Sequence, residues 1–259
     1  MDYLSLFSGA GGGDLAMQHL LGFRCRGYVE YEPYCQEVIK ARIADGFLDA
    51  APIFGDIREF NRDYAEAYTG MVDLITGGFP CQDISCAGGR TGIEGSRSGL
   101  WKLMLEAICT IKPRYVLVEN SPMLTVRGLG TVLRDLAQSG FYARWQVLSC
   151  ADVGGPHLRE RIWIVAHDNS ERGEGISEGQ YPERRNLGNN DKDRTFSDWN
   201  GLRFEGPAEI LRPGALYPPI ICGVDDGIPS RVERLRACGN AQVPLVAATA
   251  WDILSGGIR

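Results

Sequence analysis

The chain predicts an α/β fold, a doubly wound and mostly parallel sheet, and three observations point to it. Short apolar segments recur along the sequence, and patterns of helical length fall between them. Two of these segments run straight into glycine-rich turns, FSGAGGG (Phe7–Gly13) and TGGFP (Thr76–Pro80), at the strand ends where open α/β sheets place their ligands. The 259 residues, 44% hydrophobic and 23% charged, are enough for one large domain with a real core and a smaller appendage.

In order, residues 2–8 (DYLSLFS) read as a strand, Gly9–Gly13 as a loop and Asp14–Leu21 as a helix. Further strands are expected at Arg26–Val29, Val72–Thr76, Tyr115–Glu119, Ala143–Ser149 and Arg161–Ala166. Helices are expected at Tyr34–Ala44, Leu100–Ile111 and Gly130–Gln138, the last capped by Gly140. At His167 the composition changes to Gly, Asn, Asp, Glu and Arg, with NLGNNDKDR (Asn186–Arg194) nearly all turn or solvated sequence. Order returns at Pro229–Leu235, and Val243–Leu254 reads as a final helix packing back on the sheet. The division is therefore a main domain over 1–166, an insert over 167–228 and a return to the main domain over 229–259.

Bulk composition excludes several classes. No apolar run is long enough to span a bilayer, and Met1 leads directly into strand-like sequence, without a visible secretory or transit signal. The eight cysteines (25, 35, 81, 86, 109, 150, 222 and 238) form no CxxC pair, which points to reduced thiols in the cytoplasm and no structural zinc. With three scattered histidines, no metal requirement is expected. A net charge of −6 argues against indiscriminate coating of nucleic acid. Yet only four of the 27 cationic residues are lysines, and arginine's planar fork suits phosphates and base edges. Codon bias would give the same count.

Five segments carry chemistry. VDLITGGFPCQDIS (Val72–Ser85) ends a short apolar strand in a Gly/Pro turn that would present the Cys81 thiol as a nucleophile; the alternative is a small residue in a tight turn. In FSGAGGGDL, Asp14 stands where a dinucleotide-binding loop would carry its third glycine. Glu30, about twenty residues on, could take both hydroxyls of a ribose, and Asp56 an adenine amino group. A ribose-bearing cofactor without a pyrophosphate fits this loop, with S-adenosylmethionine as the leading candidate. Both acids read equally well as solvated loop ends. YVLVENSP (Tyr115–Pro122) brings Glu119 out beside an apolar strand, where a carboxyl with a raised pKa could donate a proton or form a structural ion pair. In GGPHLRERIWIVA (Gly154–Ala166), Arg159 and Arg161 alternate on extended backbone and share a face, suited to a phosphate and a carbonyl oxygen or to a solvated edge. In RACGNAQVP (Arg236–Pro244), a Gly-Asn turn is expected to open the last helix and offer N–H groups to a carboxylate.

FSGAGGG, GGFPCQDIS, VENS, RERIWIVA and GNAQVP, in this order and spacing, resemble the ordered motif set of the DNA cytosine-5 methyltransferases. The resemblance covers roughly residues 2–166 and 229–254. Each motif alone is weak or moderate; five in order are specific. It implies the S-adenosylmethionine-dependent methyltransferase fold, double-stranded DNA as partner, a monomer, and a compact enzyme of phage or restriction–modification type. By resemblance, Cys81 attacks C6 of a flipped-out cytosine, Glu119 donates a proton toward N3, Arg161 holds O2 and Arg159 helps place nucleotide and thiol. Asn120 orders the loop around the nucleophile. The cofactor set carries over as Phe7, Gly9, Gly11, Glu30, Tyr31, Asp56, Ile57, Pro80 and Asn240. Gln82, Ser85 and Arg90 fall in the segment that closes over the nucleotide.

The chain departs from the family pattern in three places. His157 stands two residues before the first arginine, where the family usually has Gln, and Ser121 replaces an aliphatic. The insert, where the family places its target recognition domain, is only about sixty residues and polar. Its candidate DNA contacts are Arg184, Arg185, Arg194 and Arg203, with Tyr181, Phe196 and Trp199 as aromatics. Two other readings use the same scaffold: an RNA (tRNA) cytosine-5 methyltransferase, and a catalytically silent nucleic-acid-binding relative. The presence of Cys81, Glu119 and both arginines argues against the silent relative, and Asp14 argues against a nicotinamide oxidoreductase.

Overall fold

Seven strands form one sheet in the order β3-β2-β1-β4-β5-β7-β6. They are β1 (Asp2–Leu6), β2 (Arg24–Val29), β3 (Ile53–Phe54), β4 (Leu74–Gly77), β5 (Tyr115–Asn120), β6 (Phe141–Leu148) and β7 (Arg161–Asp168). The structure, a computed structural model, describes residues 1–80, 99–155, 157–168 and 231–258. Pairings from β3 through β5 are parallel, whereas β7 runs antiparallel to both its neighbours, β5 and β6. Each strand expected from the sequence is present with ends shifted by two residues at most. β3 was not expected, since two residues carry no periodicity. β7 continues through His167 and Asp168, so the sheet extends past the expected boundary at 166.

The strands bury both faces. Along β5, Val116 and Val118 face one core with Ile75, Ile162 and Ile164, and Tyr115 and Leu117 face the other with Trp163 and Val165. This alternation is the two-residue period of a strand covered on both sides. The first face is covered by α3 (Ile57–Asp63), α4 (Gly99–Ile111), the short α5 (Leu124–Arg127) and α6 (Leu129–Gln138), through Phe60, Trp101, Met104, Ile108, Leu124, Val132 and Leu136. The second is covered by α2 (Pro33–Ala44) and α8 (Pro244–Ser255), through Ile39, Val246, Ala250 and Trp251. The final helix thus returns to the sheet as expected. Burying a side chain such as Trp251, fully enclosed between Phe23 and Tyr115, stabilises by about 2–3 kcal/mol relative to exposure.

Two local expectations need correction, and one helix appears where none was expected. The first helix starts two residues early, as α1 (Gly12–Leu15), and continues as a π turn (Ala16–Leu20), closed by the Leu21 N–H on the Ala16 carbonyl at 3.1 Å. The segment IREFNRD is helical because Asp56 caps it, accepting from the Arg58 N–H at 2.8 Å. The Gly-Asn pair does not open the last helix. Gly239 and Asn240 end α7 (Arg231–Asn240), and α8 begins at Pro244, whose fixed φ suits a first turn. Gly140, at φ +89°, terminates α6 as expected.

Candidate active site

Parallel strands deliver their carboxyl ends to one edge of the sheet. There β1 opens into Phe7–Gly11, β2 into Glu30 and Tyr31, β3 into Asp56, β4 into Gly78–Pro80, and β5 ends at Glu119-Asn120. Antiparallel β7 brings its first residue to that same edge: Asn120 pairs with Ile162, and Arg161 precedes it. Glu119, opposite Trp163, is the diagonal neighbour of Arg161 on one face, a spacing long side chains span.

They meet: Arg161 Nε donates to Glu119 Oε1 at 2.8 Å. Burial raises the Glu119 carboxyl above its usual range, opposed by the charges of Arg161 and Arg159 and by an amide from Gln242. That amide, Gln242 Nε2, stands 3.4 Å from Glu119 Oε2. Arg159 turns elsewhere, donating to the carbonyls of Gly239, at 2.6 Å, and Ala241. Burial, then the charge of Arg161, lowers its pKa.

The turn after β4 is shaped around this pair. A Cβ on Gly78 would lie 2.6 Å from Glu119 Oε2 and 3.0 Å from Gln242 Nε2, so a side chain there would displace the carboxylate. Asn120, buried at the end of β5, donates from Nδ2 to the Phe79 carbonyl at 3.0 Å. Phe79 packs on Trp101 with ring centroids 5.5 Å apart. Pro80 follows, exposed. Cys81, Gln82, Ser85 and Arg90 lie outside the described residues, as do the recognition candidates between 169 and 230.

At the other end of the edge, Phe7 adopts φ +53°, and Gly9 and Gly11 adopt φ +57° and +83°. Positive φ at a bulky residue such as Phe7 is strained backbone of the kind that clusters at ligand sites. The Gly9 N–H donates to Glu30 Oε2 at 2.6 Å and the Glu32 N–H to Glu30 Oε1 at 2.8 Å. Glu30 is buried, and desolvation raises its pKa despite these donors. Tyr31 is 68% exposed. Ile57 is buried at the start of α3, and Asp56 caps that helix. Asn240 is exposed at the end of α7.

Two features were missed from the sequence. Gln242 stands within GNAQVP, where the sequence alone gives it no role, though Gly12, Gly13 and Gly78 all make room for it. Asp14, legible only as a missing glycine, is buried and accepts from the Tyr3 hydroxyl at 3.0 Å. Among the described residues there is no group of three metal-ligating side chains, and no helix is long and apolar enough to cross a membrane.

The seven-stranded sheet and its helices share the fold of solved methyltransferases. The model of the C-5 cytosine-specific DNA methylase family matches residues 1–201, and the chain belongs to that family. The type II methyltransferase M.NgoFVII of Neisseria gonorrhoeae is 32% identical over 166 residues, 62% of this chain and 42% of that protein. M2.BsuMI of Bacillus subtilis is 29% identical over 239 residues, 89% of this chain and 58% of that protein. A putative DNA modification methyltransferase from an Escherichia coli prophage shares the fold, with a TM-score of 0.54 at 21% identity over 68% of this chain and 49% of that one. The Dnmt2 methyltransferase of S. pombe does so too, with a TM-score of 0.52 at 21% identity over 68% and 51%. The chain spans about half the length of these relatives.

Proposed function

We propose that the protein is a DNA cytosine-5 methyltransferase that flips its target base out of the duplex and attacks C6 with Cys81. The observation that carries this reading is the Arg161–Glu119 pair, set against the turn that leads into Cys81 and clamped to it by Asn120. Addition of the thiolate to C6 builds negative charge on the ring. Glu119, its affinity for a proton raised by burial, donates toward N3, and Arg161 exchanges part of its contact with Glu119 for O2. Once C5 carries the methyl, its proton passes to solvent and Cys81 leaves as thiolate, which restores aromaticity; a soft thiolate suits both addition and departure. Arg159 places nucleotide and thiol through the backbone it holds. Gln82, Ser85 and Arg90 belong to the segment that closes over the flipped base.

The residues fit S-adenosylmethionine. A Cβ at Gly9 would meet nothing within 4 Å, so the turn is an open cradle, and buried Glu30, held by the Gly9 and Glu32 N–H groups, keeps lone pairs that would accept from the ribose diol. Phe7, Gly9 and Gly11 would flank the methionine part, with Tyr31, Asp56 and Ile57 about the adenine, Asn240 near the carboxylate and Pro80 between cofactor and base. When bound, the cofactor supplies an electrophilic methyl for C5. Residues 167–228 are read as the target-recognition insert, and a monomer acting on double-stranded DNA in a bacterial or phage-infected cytoplasm is the setting.

Incubation with S-adenosylmethionine and 5-fluorocytosine DNA should trap a covalent adduct, which Cys81→Ser abolishes while cofactor binding persists. An adduct on RNA alone would make the protein an RNA methyltransferase. No adduct on either would end the catalytic reading.

A further inference from the structure

Gln242 lies in the three-residue link between α7 and α8, and none of the roles above falls to it. Three glycines, two at the start of α1 and one in the turn after β4, make room for this one residue: Gly12 for its backbone, Gly13 and Gly78 for its side chain. A Cβ on Gly12 would approach the Gln242 carbonyl oxygen to 2.5 Å, one on Gly13 would overlap its Oε1, and one on Gly78 would come within 3.0 Å of its Nε2. The amide thus lies against the cofactor loop on one side and the turn toward Cys81 on the other. Between them it reaches Glu119 Oε2. The link is fixed from below, since Arg159 donates to the carbonyls of Gly239 and Ala241 on either side of Asn240.

We propose that Gln242 is a positioning residue that orients the Glu119 carboxyl and ties its setting to the loop that cradles the cofactor. The inference rests on the cytosine-5 methyltransferase reading, in which Glu119 transfers the proton. Arg161 holds Oε1 and Gln242 holds Oε2, so the carboxyl is restrained about its last bond from both ends. An amide N–H on a carboxylate oxygen favours the ionised form and counters the upward pull of burial. Without it, Glu119 would bind its proton more tightly and point it less well. Small errors of placement at a proton donor are expensive in rate.

The test compares the full-length wild type with Gln242→Met, which keeps the length and loses the donor. The Glu119 carboxyl is titrated by carbon-13 NMR, its resonance assigned with Glu119→Gln, and kcat and KM for methyl transfer are followed against pH. Gln242→Met should raise the Glu119 pKa, shift the alkaline limb of the rate profile upward, and lower kcat by roughly tenfold to a hundredfold, with a smaller change in the KM for DNA. Gln242→Glu, a second variant in case the first folds poorly, sets a like charge beside Glu119 and should raise its pKa as well. An unchanged Glu119 titration in the folded variants would overturn the proposal, whatever the rate. A wild type that transfers no methyl would sink the functional reading instead, while the carboxyl titration would still judge Gln242.

Discussion

The Asn120 side chain donates to the Phe79 carbonyl at 3.0 Å, and both residues are buried. One hydrogen bond therefore ties the end of β5, where Glu119 sits, to the turn after β4, which runs on to Cys81. The Ser121 N–H, 2.8 Å from Asn120 Oδ1, fixes which end of the amide faces the turn. Asn120→Ala would leave the Phe79 carbonyl unpaired in the interior and destabilise the fold by about 1–3 kcal/mol. Urea unfolding reads that loss. Methyl transfer should fall further than stability alone explains, with cofactor affinity kept. An unshifted unfolding midpoint would mean the clamp contributes nothing.

Gly78 is constrained by space. Its φ is ordinary, but a methyl there would press on Glu119 Oε2 at 2.6 Å. Gly78→Ala should therefore displace the carboxyl and break the contact with Arg161, with a loss in kcat of roughly a hundredfold and little change in secondary structure by circular dichroism. Near-normal turnover would show that the carboxyl can move aside freely, and the site would be looser than its packing implies.

The legible and the hidden parts divide by the range of the interaction. Strands such as Tyr115–Asn120 announced themselves because both faces are buried, giving the apolar run Tyr115–Val118 before Glu119. The edge location of Glu119 and the β4 turn followed from the parallel α/β pattern alone. The direction of β7 did not, since an antiparallel strand with two buried faces has the same composition as a parallel one. That direction is what sets Arg161 against Glu119. Gln242 was hidden for a related reason: its partners Gly12, Gly78 and Glu119 come from distant parts of the chain, and glycines beside a strand end read locally as backbone freedom. Asp14 was legible only as an oddity. Its burial depends on Tyr3 one strand away.

Removing Arg161 should make stability depend more steeply on pH. Burial already raises the Glu119 pKa, and Arg161 is the largest influence holding it down. In Arg161→Ala the folded-state pKa rises further above the unfolded value. The protonated carboxyl is tolerated at low pH, and the penalty appears as pH climbs through the raised folded pKa. The variant should lose about 3 kcal/mol or more against wild type at alkaline pH and much less in acid. Melting temperatures at pH 5 and pH 9 test this, and an equal deficit at both would exclude it.

Asp14 gives the sharpest pH test, because it is buried with hydroxyl partners rather than a cation. Desolvation lifts its pKa from 3.8 to about 6, against hydrogen bonds from Ser5, Tyr3 and its own backbone. Gln18 backs this arrangement by donating to the hydroxyls of Tyr3, at 2.8 Å, and Tyr28, at 3.1 Å. A carboxyl that is harder to ionise in the folded state contributes stability below its unfolded pKa and loses it as pH rises through the folded one. The window therefore runs from about 4 to about 6. Across it wild type should lose about 3 kcal/mol, since each tenfold change in proton affinity is worth about 1.4 kcal/mol. Asp14→Asn keeps an acceptor for Tyr3 and never ionises, so it should escape that loss. Urea midpoints at pH 4 and pH 8 should then show the variant gaining on wild type as pH rises. A constant gap between the two proteins would mean that Asp14 ionises as easily inside the fold as in water.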